Sequence, residues 1–364
     1  MTHVLVTGAS GYIGRYLVKE LLDKGDCVTV LLRRPAAQLP VLQDWLRAQG
    51  TDVGALQAVA GDLARPEAGI DAEGWRTLAA VTVVYHSGAL FGWNLPEEQV
   101  RAVNVTGATG LLEAAASRLS LQRFVQVSGY MLTFPGHLAS LGIHGDGSGV
   151  DWPAVYRRTG SYEASKLEGH FAVKRAAGRR GVPLTVIHPA TLAGHAGTGE
   201  LPDTQEMARS IDDLLAGRLP AVPGGGGYRL PLVSLDYLAV FMARVADYAE
   251  AAGREYLLAD PATPDLKAVM QVCAREAGVK APAMRVPVPL LRRLAGWSWL
   301  SRQTGLTREK LDFLRREPLF TAATDEMARR MGLTPPPLAS VLAAASRYRL
   351  LQQRHQPPAH AVRA

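Results

Sequence analysis

Cysteine is scarce in this sequence. Cys27 and Cys273 are the only two among 364 residues, and neither belongs to a CxxC pair or to a Cys/His cluster. A disulfide framework and a structural zinc site are therefore excluded; we predict no metal site and expect a reducing, cytoplasmic location. The chain also lacks any run of about 18 apolar residues, the length that a membrane-spanning helix needs. Its first residues lack the basic segment of a signal peptide, so we expect none.

Negative charge is scarce only in the last quarter of the chain. Residues 271–364 contain 16 Lys and Arg against 6 Asp and Glu, whereas residues 1–270 contain 24 against 27. The net charge of +7 therefore comes from the C-terminal part alone. Because no nucleic-acid reader motif accompanies these charges, we predict no nucleic-acid partner.

Short apolar segments alternate with helical patterns along the first half of the chain. Such continuous apolar strands are typical of a parallel sheet that is covered on both faces. We predict an α/β fold, a Rossmann-type doubly wound parallel sheet with a smaller C-terminal substrate-binding lobe. The predicted strands are His3–Thr7, Cys27–Leu32, Gln57–Ala60, Val81–Tyr85, Arg123–Val127 and Pro183–His188.

The alternation loosens after about residue 195, where Pro, Gly and short helical pieces dominate. We predict a nucleotide-binding and catalytic domain over residues 1–195. A mostly helical lobe with the basic extension follows over 196–350, and it may exchange strands with the core near 230–240. We expect residues 351–364 to form a disordered tail.

A glycine-rich turn follows the first predicted strand and opens the first helix. Gly8 permits the tight turn, Gly11 lets the backbone approach a pyrophosphate, and Gly14 allows close helix–strand packing. The free N–H groups of the helix N-terminus bind the anion. This pattern predicts dinucleotide binding, and the predicted contacts are Gly8, Ser10, Gly11, Tyr12, Ile13 and Gly14.

The end of the second strand indicates which dinucleotide binds. An NAD site usually has Asp or Glu here for the ribose hydroxyls, but this chain has Arg33 and Arg34. Guanidinium groups form charge-assisted bonds to a 2′-phosphate, so we predict NADP(H) over NAD(H); the alternative is a solvated Arg pair. Asp62 and Leu63, after the third strand, are placed at the adenine edge, although Asp62 is equally suited to capping a helix.

Tyr162 and Lys166 are four residues apart in the helical segment Ser161–Gly178. One helical turn separates them, so they share a face. An adjacent ammonium favours the phenolate and is expected to lower the pKa of Tyr162 toward the working range of an acid–base catalyst.

Together with the glycine turn, this pair resembles the extended branch of the short-chain dehydrogenase/reductase superfamily. The resemblance covers residues 2 to about 245 and includes further ordered matches. These are Gly61–Leu63, Tyr85–Ala89, Asn104–Ala108, Phe124–Ser128, His188–Leu192 and Val233–Asp236.

The resemblance implies that Tyr162 protonates a carbonyl, or deprotonates an alcohol, while hydride passes to or from nicotinamide. Lys166 then lowers the pKa of Tyr162 and holds the nicotinamide ribose. Further cofactor contacts are implied at Ser87, Gly88, Ala89, Asn104, Lys166, Pro189 and Thr191.

A hydroxyl at the end of the fifth strand is the third catalytic group that the resemblance implies. The family usually has Ser-Ser or Ser-Thr here, and the second residue reaches the substrate. This chain has Ser128 and Gly129. Either Ser128 supplies the hydroxyl, or Tyr130 or a water replaces it, or Ser128 only makes a strand-end hydrogen bond.

Apolar and aromatic residues follow the predicted strands at the edge where ligands of such sheets bind. Phe91, Trp93, Tyr130 and Met131 are the candidate substrate contacts, and they indicate a hydrophobic or aromatic compound. His188 lies near the expected nicotinamide site, but a lone histidine there is more often a packing residue than a catalytic one.

The C-terminal basic region leaves three interpretations open. Pro289–Leu300 combines Leu and Trp with Arg, as in a cap over the substrate, a subunit contact of a homodimer, or a weak contact with an anionic membrane surface.

The leading hypothesis is an NADP(H)-dependent oxidoreductase that reduces a ketone or aldehyde, or oxidises a secondary alcohol, of a hydrophobic small molecule. One alternative is an NDP-sugar-type epimerase or dehydratase that reduces its cofactor only transiently. The other is a non-catalytic NADP-binding sensor.

Overall fold

The computed structural model describes residues 1–92, 95–225, 227–294 and 311–355. The chain folds into two compact units. The first contains Met1–Pro189, Ala239–Leu258 and Ala322–Met331; the second contains Ala190–Leu238, Ala259–Thr321 and Gly332–Ala364. The chain first passes from one unit to the other after Pro189, close to the predicted boundary at residue 195. The predicted domains are consecutive segments apart from an exchange near 230–240, whereas each observed unit consists of three separate segments. The chain returns to the first unit because a late strand completes its sheet.

A seven-stranded parallel sheet forms the centre of the first unit, in the order β3-β2-β1-β4-β5-β6-β10. This order confirms the predicted Rossmann-type α/β fold. Its strands are β1 His3–Thr7, β2 Cys27–Leu32, β3 Leu56–Ala60, β4 Val83–His86, β5 Arg123–Val127, β6 Leu184–Pro189 and β10 Glu255–Leu258.

Helices of the first unit cover this sheet. They are α1 Tyr12–Asp23, α2 Pro35–Ala48, α3 Ala72–Thr77, α4 Glu97–Arg101, α5 Ala108–Arg118, α6 Pro135–Ser140, α7 Trp152–Thr159, α8 Ser161–Arg180 and α13 Ala322–Arg330. On one face, Leu111 and Leu112 of α5 and Val173 of α8 pack with Phe124 and Val186 of the sheet in one buried cluster. Strands β1, β2, β4, β5 and β6 are buried along nearly their whole length, which explains their mostly apolar sequences, whereas the edge strand β3 is only partly buried.

A π-helical segment, Ala102–Gly107, joins α4 to α5. Such segments insert an extra residue into a helix and are frequent at functional sites. Here it allows a close approach to α8: a Cβ atom on Gly169 would lie 2.2 Å from the carbonyl oxygen of Asn104. Only glycine fits at this crossing.

The second unit has two small parallel sheets, β7–β9 and β8–β11. Its strands are β7 Thr191–Gly194, β8 Ala221–Gly224, β9 Leu232–Ser234 and β11 Met284–Pro287. Its helices are α9 Glu206–Leu215, α11 Leu266–Ala277, α12 Val288–Leu294 and α14 Leu338–His355, and α10 Leu235–Val245 runs from this unit into the first.

The prediction of a disordered tail from residue 351 is wrong for residues 351–355, which form the last turn of α14. No helix among the described residues is long and apolar enough to cross a membrane.

Candidate active site

The glycine turn after β1 has the geometry that a pyrophosphate site needs. Gly8 has a φ of +74°, and the N–H of Gly11 donates to its carbonyl oxygen at 2.9 Å. A Cβ atom on Gly14 would lie 2.0 Å from that same oxygen. The turn leads directly into α1, whose N-cap, Gly11, makes no side-chain capping bond. The N–H groups at this helix N-terminus suit an anion, and the site fits a dinucleotide.

The turn after β4 lies directly against the glycine turn. A Cβ atom on Gly8 would lie 2.7 Å from the backbone nitrogen of Gly88. The hydroxyl of Ser87 donates to the carbonyl oxygen of Thr7 at 2.8 Å, and the N–H of Gly88 donates to the Thr7 hydroxyl at 3.1 Å. These bonds join the ends of β1 and β4, so the predicted residues Ser87, Gly88 and Ala89 follow the strand next to the phosphate turn.

Arg33 and Arg34 are exposed at the end of β2. No hydrogen bond or ion pair of their guanidinium groups occurs within the described part of the chain, whereas the Arg34 N–H donates to Gln38 Oε1 at 2.8 Å. Asp62 accepts from the N–H of Ala64 at 3.0 Å, a local turn bond, and Leu63 packs on the sheet core. The two arginines are thus accessible to a phosphate.

Asn104, a predicted cofactor contact, ties the loop after β4 to the catalytic helix. Its Oδ1 accepts from the N–H of Leu90 at 2.7 Å, and its Nδ2 donates to the Leu90 carbonyl at 3.1 Å and to Ser165 Oγ at 2.9 Å. The side chain is buried and all three bonds are internal. Asn104 therefore positions α8 and this loop through its own side-chain bonds.

Lys166 lies at the carboxyl edge of the sheet, where ligands of such folds bind. Its Nζ donates to the carbonyl oxygen of Val127, the last residue of β5, at 2.9 Å. Burial lowers the pKa of Lys166 to about 8. Tyr162, one helical turn earlier on α8, shares this edge as predicted.

The prediction of a lowered pKa for Tyr162 is not met. Burial raises the pKa of its phenol, and the neighbouring carboxylate of Glu163 raises it further. Glu163 is buried, and its Oε1 lies 2.5 Å from Nε2 of His137. The sequence interpretation missed this pair, because 26 residues separate its members and neither matches a family motif. A phenol in this environment holds its proton at neutral pH.

The third predicted group, Ser128, is buried at the end of β5. Its Oγ has no hydrogen-bond partner within the described part of the chain. At Gly129 the backbone is extended, with a φ of −149°, and a Cβ atom would have no neighbour within 4 Å. Packing therefore does not require glycine at this position. Tyr130 is buried and stands edge-on to Phe134, with ring centroids 6.2 Å apart.

Among the candidate substrate residues, Phe91 stands perpendicular to Tyr162, with ring centroids 4.7 Å apart. Its side chain is 48% exposed, so it forms part of an apolar surface beside the phenol. Met131 is buried, and Trp93 lies outside the described residues. Pro189 ends β6 in the first unit, and Thr191 begins β7 in the second.

Part of the basic C-terminal charge is paired within the second unit. Arg349 of α14 is 4% exposed and contacts Asp212 and Asp203, and Arg347 pairs with Glu276. Arg285 and Arg292 pair with Asp265 and Asp312. The buried Arg349 ties α14 to α9, whereas the other pairs lie at the surface. Trp297, Trp299 and Leu300 of the predicted cluster lie outside the described residues.

Comparison with known proteins identifies the class to which this fold and site belong. Residues 6–242 match the model of the NAD-binding family described as male sterility protein, which is more than half of the chain. The chain therefore belongs to this family, within the extended short-chain dehydrogenase/reductase superfamily, as the sequence motifs predicted. The matching model is that of an NAD-binding family, so the chain belongs to a nicotinamide-dinucleotide-binding class.

One relative with a similar sequence is a reductase by name. It is 32% identical over 219 residues to the L-2-aminoadipate reductase large subunit of Penicillium chrysogenum, covering 54% of this chain but 15% of that protein. The chain thus spans a small part of that relative's length.

Two solved structures share the fold. The terminal R domain of the myxalamid PKS-NRPS biosynthetic pathway superposes with a TM-score of 0.76 at 20% identity, covering 97% of this chain and 91% of the domain. The UDP-glucuronic acid 4-epimerase of Bacillus cereus, in complex with NAD, superposes with a TM-score of 0.63 at 16% identity, covering 98% and 99%. Because both sequence identities are low, these two similarities show only a shared fold.

Proposed function

We propose that this protein is an NADPH-dependent reductase of a carbonyl group on an apolar or aromatic compound, with Tyr162 as the proton donor. The observation that carries the proposal is the bond from Lys166 Nζ to the Val127 carbonyl. It fixes the Tyr162–Lys166 face of α8 at the sheet edge where the glycine turn also lies. Cofactor and proton donor would then meet the substrate at one edge.

The chemistry needs a hydride for the carbonyl carbon and a proton for its oxygen. Bound NADPH supplies the hydride. Tyr162 donates its O–H proton to the substrate oxygen, so that one C–H and one O–H bond form as the C=O double bond becomes single. Burial and Glu163 raise the pKa of Tyr162, so the phenol carries at neutral pH the proton that reduction needs. In this proposal Lys166 holds the nicotinamide ribose.

The substrate class follows from the apolar surface at Phe91 and from the relatives. A sugar nucleotide would require several arginines beside the phenol, whereas Tyr162 faces an aromatic ring there. The curated relative is named as a reductase of a carboxylic acid, L-2-aminoadipate. We therefore include acyl thioesters with ketones and aldehydes. Reduction of a thioester first adds hydride and a proton to its carbonyl, and loss of the thiol then gives an aldehyde.

NADPH rather than NADH is part of the proposal, and Arg33 and Arg34 support it. Both side chains are exposed at the end of β2, where the acidic residue of an NAD site is missing. A 2′-phosphate at this position would gain charge-assisted hydrogen bonds from them.

The test follows NADPH oxidation with aromatic ketones, apolar aldehydes, acyl thioesters and a sugar nucleotide. We expect turnover of an apolar carbonyl compound that Tyr162→Phe lowers at least about 100-fold while NADPH still binds. Tyr248→Phe, whose hydroxyl bonds the Arg330 carbonyl, is the matched control. Conversion of the sugar nucleotide without net NADPH change would identify an epimerase instead. Unchanged turnover in Tyr162→Phe would remove the phenol from the mechanism.

A further inference from the structure

His188 lies in β6 between two hydrogen-bond acceptors. Its Nδ1 is 3.0 Å from the carbonyl oxygen of Gly129, and its Nε2 is 2.8 Å from Oε2 of Glu255 in β10. A carbonyl oxygen only accepts, and so does an ionised carboxylate. If both contacts are hydrogen bonds, both ring nitrogens carry a proton and His188 is an imidazolium ion. Its side chain is 1% exposed, so the charge is compensated inside the protein.

Glu255 is ionised in this arrangement. Burial alone would raise the pKa of its carboxyl group, but the hydrogen bonds from His188 and from Lys174 hold that pKa well below its usual range. The ammonium of Lys174 lies 2.6 Å from Oε1 of Glu255. Burial, reinforced by the charge of His188, lowers the pKa of the adjacent His170 to about 3, so His170 is neutral. Glu255 therefore has two cationic partners, Lys174 at Oε1 and His188 at Oε2.

The same side chains do not suit a metal ion. Ligand atoms of His170, His188 and Glu255 lie within 4.8 Å of one another, the one such group within the described ranges. Lys174 already places a positive charge on the carboxylate, and His188 uses both nitrogens for hydrogen bonds. A proton on His188 explains these contacts without a metal.

The contact from His188 holds the carbonyl group of Gly129. Gly129 stands where the family usually has the hydroxyl that reaches the substrate, and a Cβ atom there would have no neighbour within 4 Å. Glycine is the most flexible residue, and the N–H of Leu132, at 3.2 Å, is the other donor to the Gly129 carbonyl oxygen. A hydrogen bond from a charged donor is about twice as strong as a neutral one. His188 supplies such a bond at the residue that follows Ser128 and precedes the turn beginning at Tyr130.

We propose that His188 is a positioning residue: held by Glu255, it fixes the Gly129 peptide and thereby the Ser128 hydroxyl and the following turn against the reacting carbonyl. This inference rests on the proposed reductase function. It gives a purpose to the ion pair between the buried His188 in β6 and the partly exposed Glu255 in β10.

The activity test compares two substitutions of His188. Asn keeps a donor at the position of Nδ1 but loses the contact with Glu255, whereas Leu keeps the apolar bulk and no donor. We expect kcat to fall about 10-fold or more in His188→Leu and less in His188→Asn, with the dissociation constant of NADPH unchanged in both. Higher activity in His188→Leu than in His188→Asn would show that His188 acts by packing, and would overturn the inference.

A second measurement is independent of turnover. Nitrogen NMR of 15N-histidine-labelled protein at pH 7 counts the ring protons of His188, whose signals are identified by their loss in His188→Asn. We expect two protons in the wild type and one in Glu255→Gln, where the partner is neutral. One proton in the wild type overturns the inference whatever the turnover. Absence of turnover in the wild type, with two protons on His188, counts instead against the proposed function.

Discussion

The carbonyl oxygen of Gly8 lies 2.0 Å from the point where Gly14 would carry a Cβ atom. The Gly8 oxygen also accepts the N–H of Gly11, so it cannot turn away without opening the phosphate turn. All three glycines of the turn thus meet at one atom. Cofactor binding and folding of the first unit depend on the same contact.

Gly14→Ala tests this coupling. The methyl group must displace backbone, and we expect a loss of about 1–3 kcal/mol or more in the free energy of unfolding. NADPH affinity should fall at least about tenfold, because the amides that face the pyrophosphate shift. Urea unfolding and cofactor titration measure both effects.

Gly110→Ala is the matched control for that substitution. Gly110 lies in helix α5, and a Cβ atom there would have no neighbour within 4 Å. Alanine should stabilise the helix by about 0.5–1 kcal/mol and leave NADPH binding unchanged. Equal effects of the two substitutions would contradict the assigned role of Gly14.

Gly129→Ser tests whether this position tolerates and uses a hydroxyl. Because the backbone is extended and the space is open, we expect the free energy of unfolding to change by less than about 0.5 kcal/mol. A hydroxyl that reaches the carbonyl oxygen should raise kcat toward the 10²–10³-fold that one such donor is worth. Gly129→Ala separates the hydroxyl from the added bulk. A gain in both variants, or loss of folding in Gly129→Ser, would refute this prediction.

The arginines at the end of β2 determine the predicted cofactor preference. We expect NADPH to bind about tenfold or more tightly than NADH, the scale of one charge-assisted contact. Arg33→Ala combined with Arg34→Ala should abolish that preference by weakening NADPH binding only. Arg47→Ala, which removes an exposed arginine paired with Asp44 in α2, should leave it intact. Equal affinities in the parent protein would exclude the prediction.

His86 predicts how stability depends on pH. It is buried beside Thr7, and burial, with the positive charge of Lys166, lowers the pKa of His86 to about 3. An unfolded histidine binds a proton near pH 6.5, so the unfolded state binds more protons between pH 6.5 and 3. The stabilising contribution is present above pH 6.5 and is lost on acidification, by up to about 1.4 kcal/mol per pH unit.

Urea unfolding between pH 7 and pH 4 measures this loss. In His86→Gln the free energy of unfolding should depend less steeply on pH, because the contribution of this histidine is removed. The contribution of His170 should remain. His144→Gln alters an exposed histidine and should not change the slope. Parallel curves for the parent and His86→Gln would disprove the assignment.

Local sequence patterns predicted much of the sheet. The predicted bounds of β1, β2 and β5 agree with the structure, and the helix at Ser161 extends two residues further than expected. These elements are encoded by runs of neighbouring residues, whose apolar pattern reports their own burial. Strand β10 was missed because its assignment depends on pairing with β6, far away in the sequence.

In the candidate site, too, the sequence predicted the residues of short motifs but not the pairs that are distant in sequence. Gly8, Gly14, Tyr162 and Lys166 belong to short motifs, so spacing alone suggested them. The pairs His137–Glu163 and His188–Glu255 join residues 26 and 67 positions apart, and only the folded sheet brings them together. The raised pKa of Tyr162 arises from burial and from the carboxylate of one of these pairs, which explains why the sequence suggested the opposite direction.

The late arrival of β10 has a consequence for synthesis of the chain. Glu255 follows His188 by 67 residues, and translation at about 5–20 residues per second takes several seconds to supply them. Until then β6 is an edge strand, with unpaired backbone groups that another chain can bind. The strand that carries His188 is therefore the last part of the sheet to be protected, and the ion pair with Glu255 marks its completion.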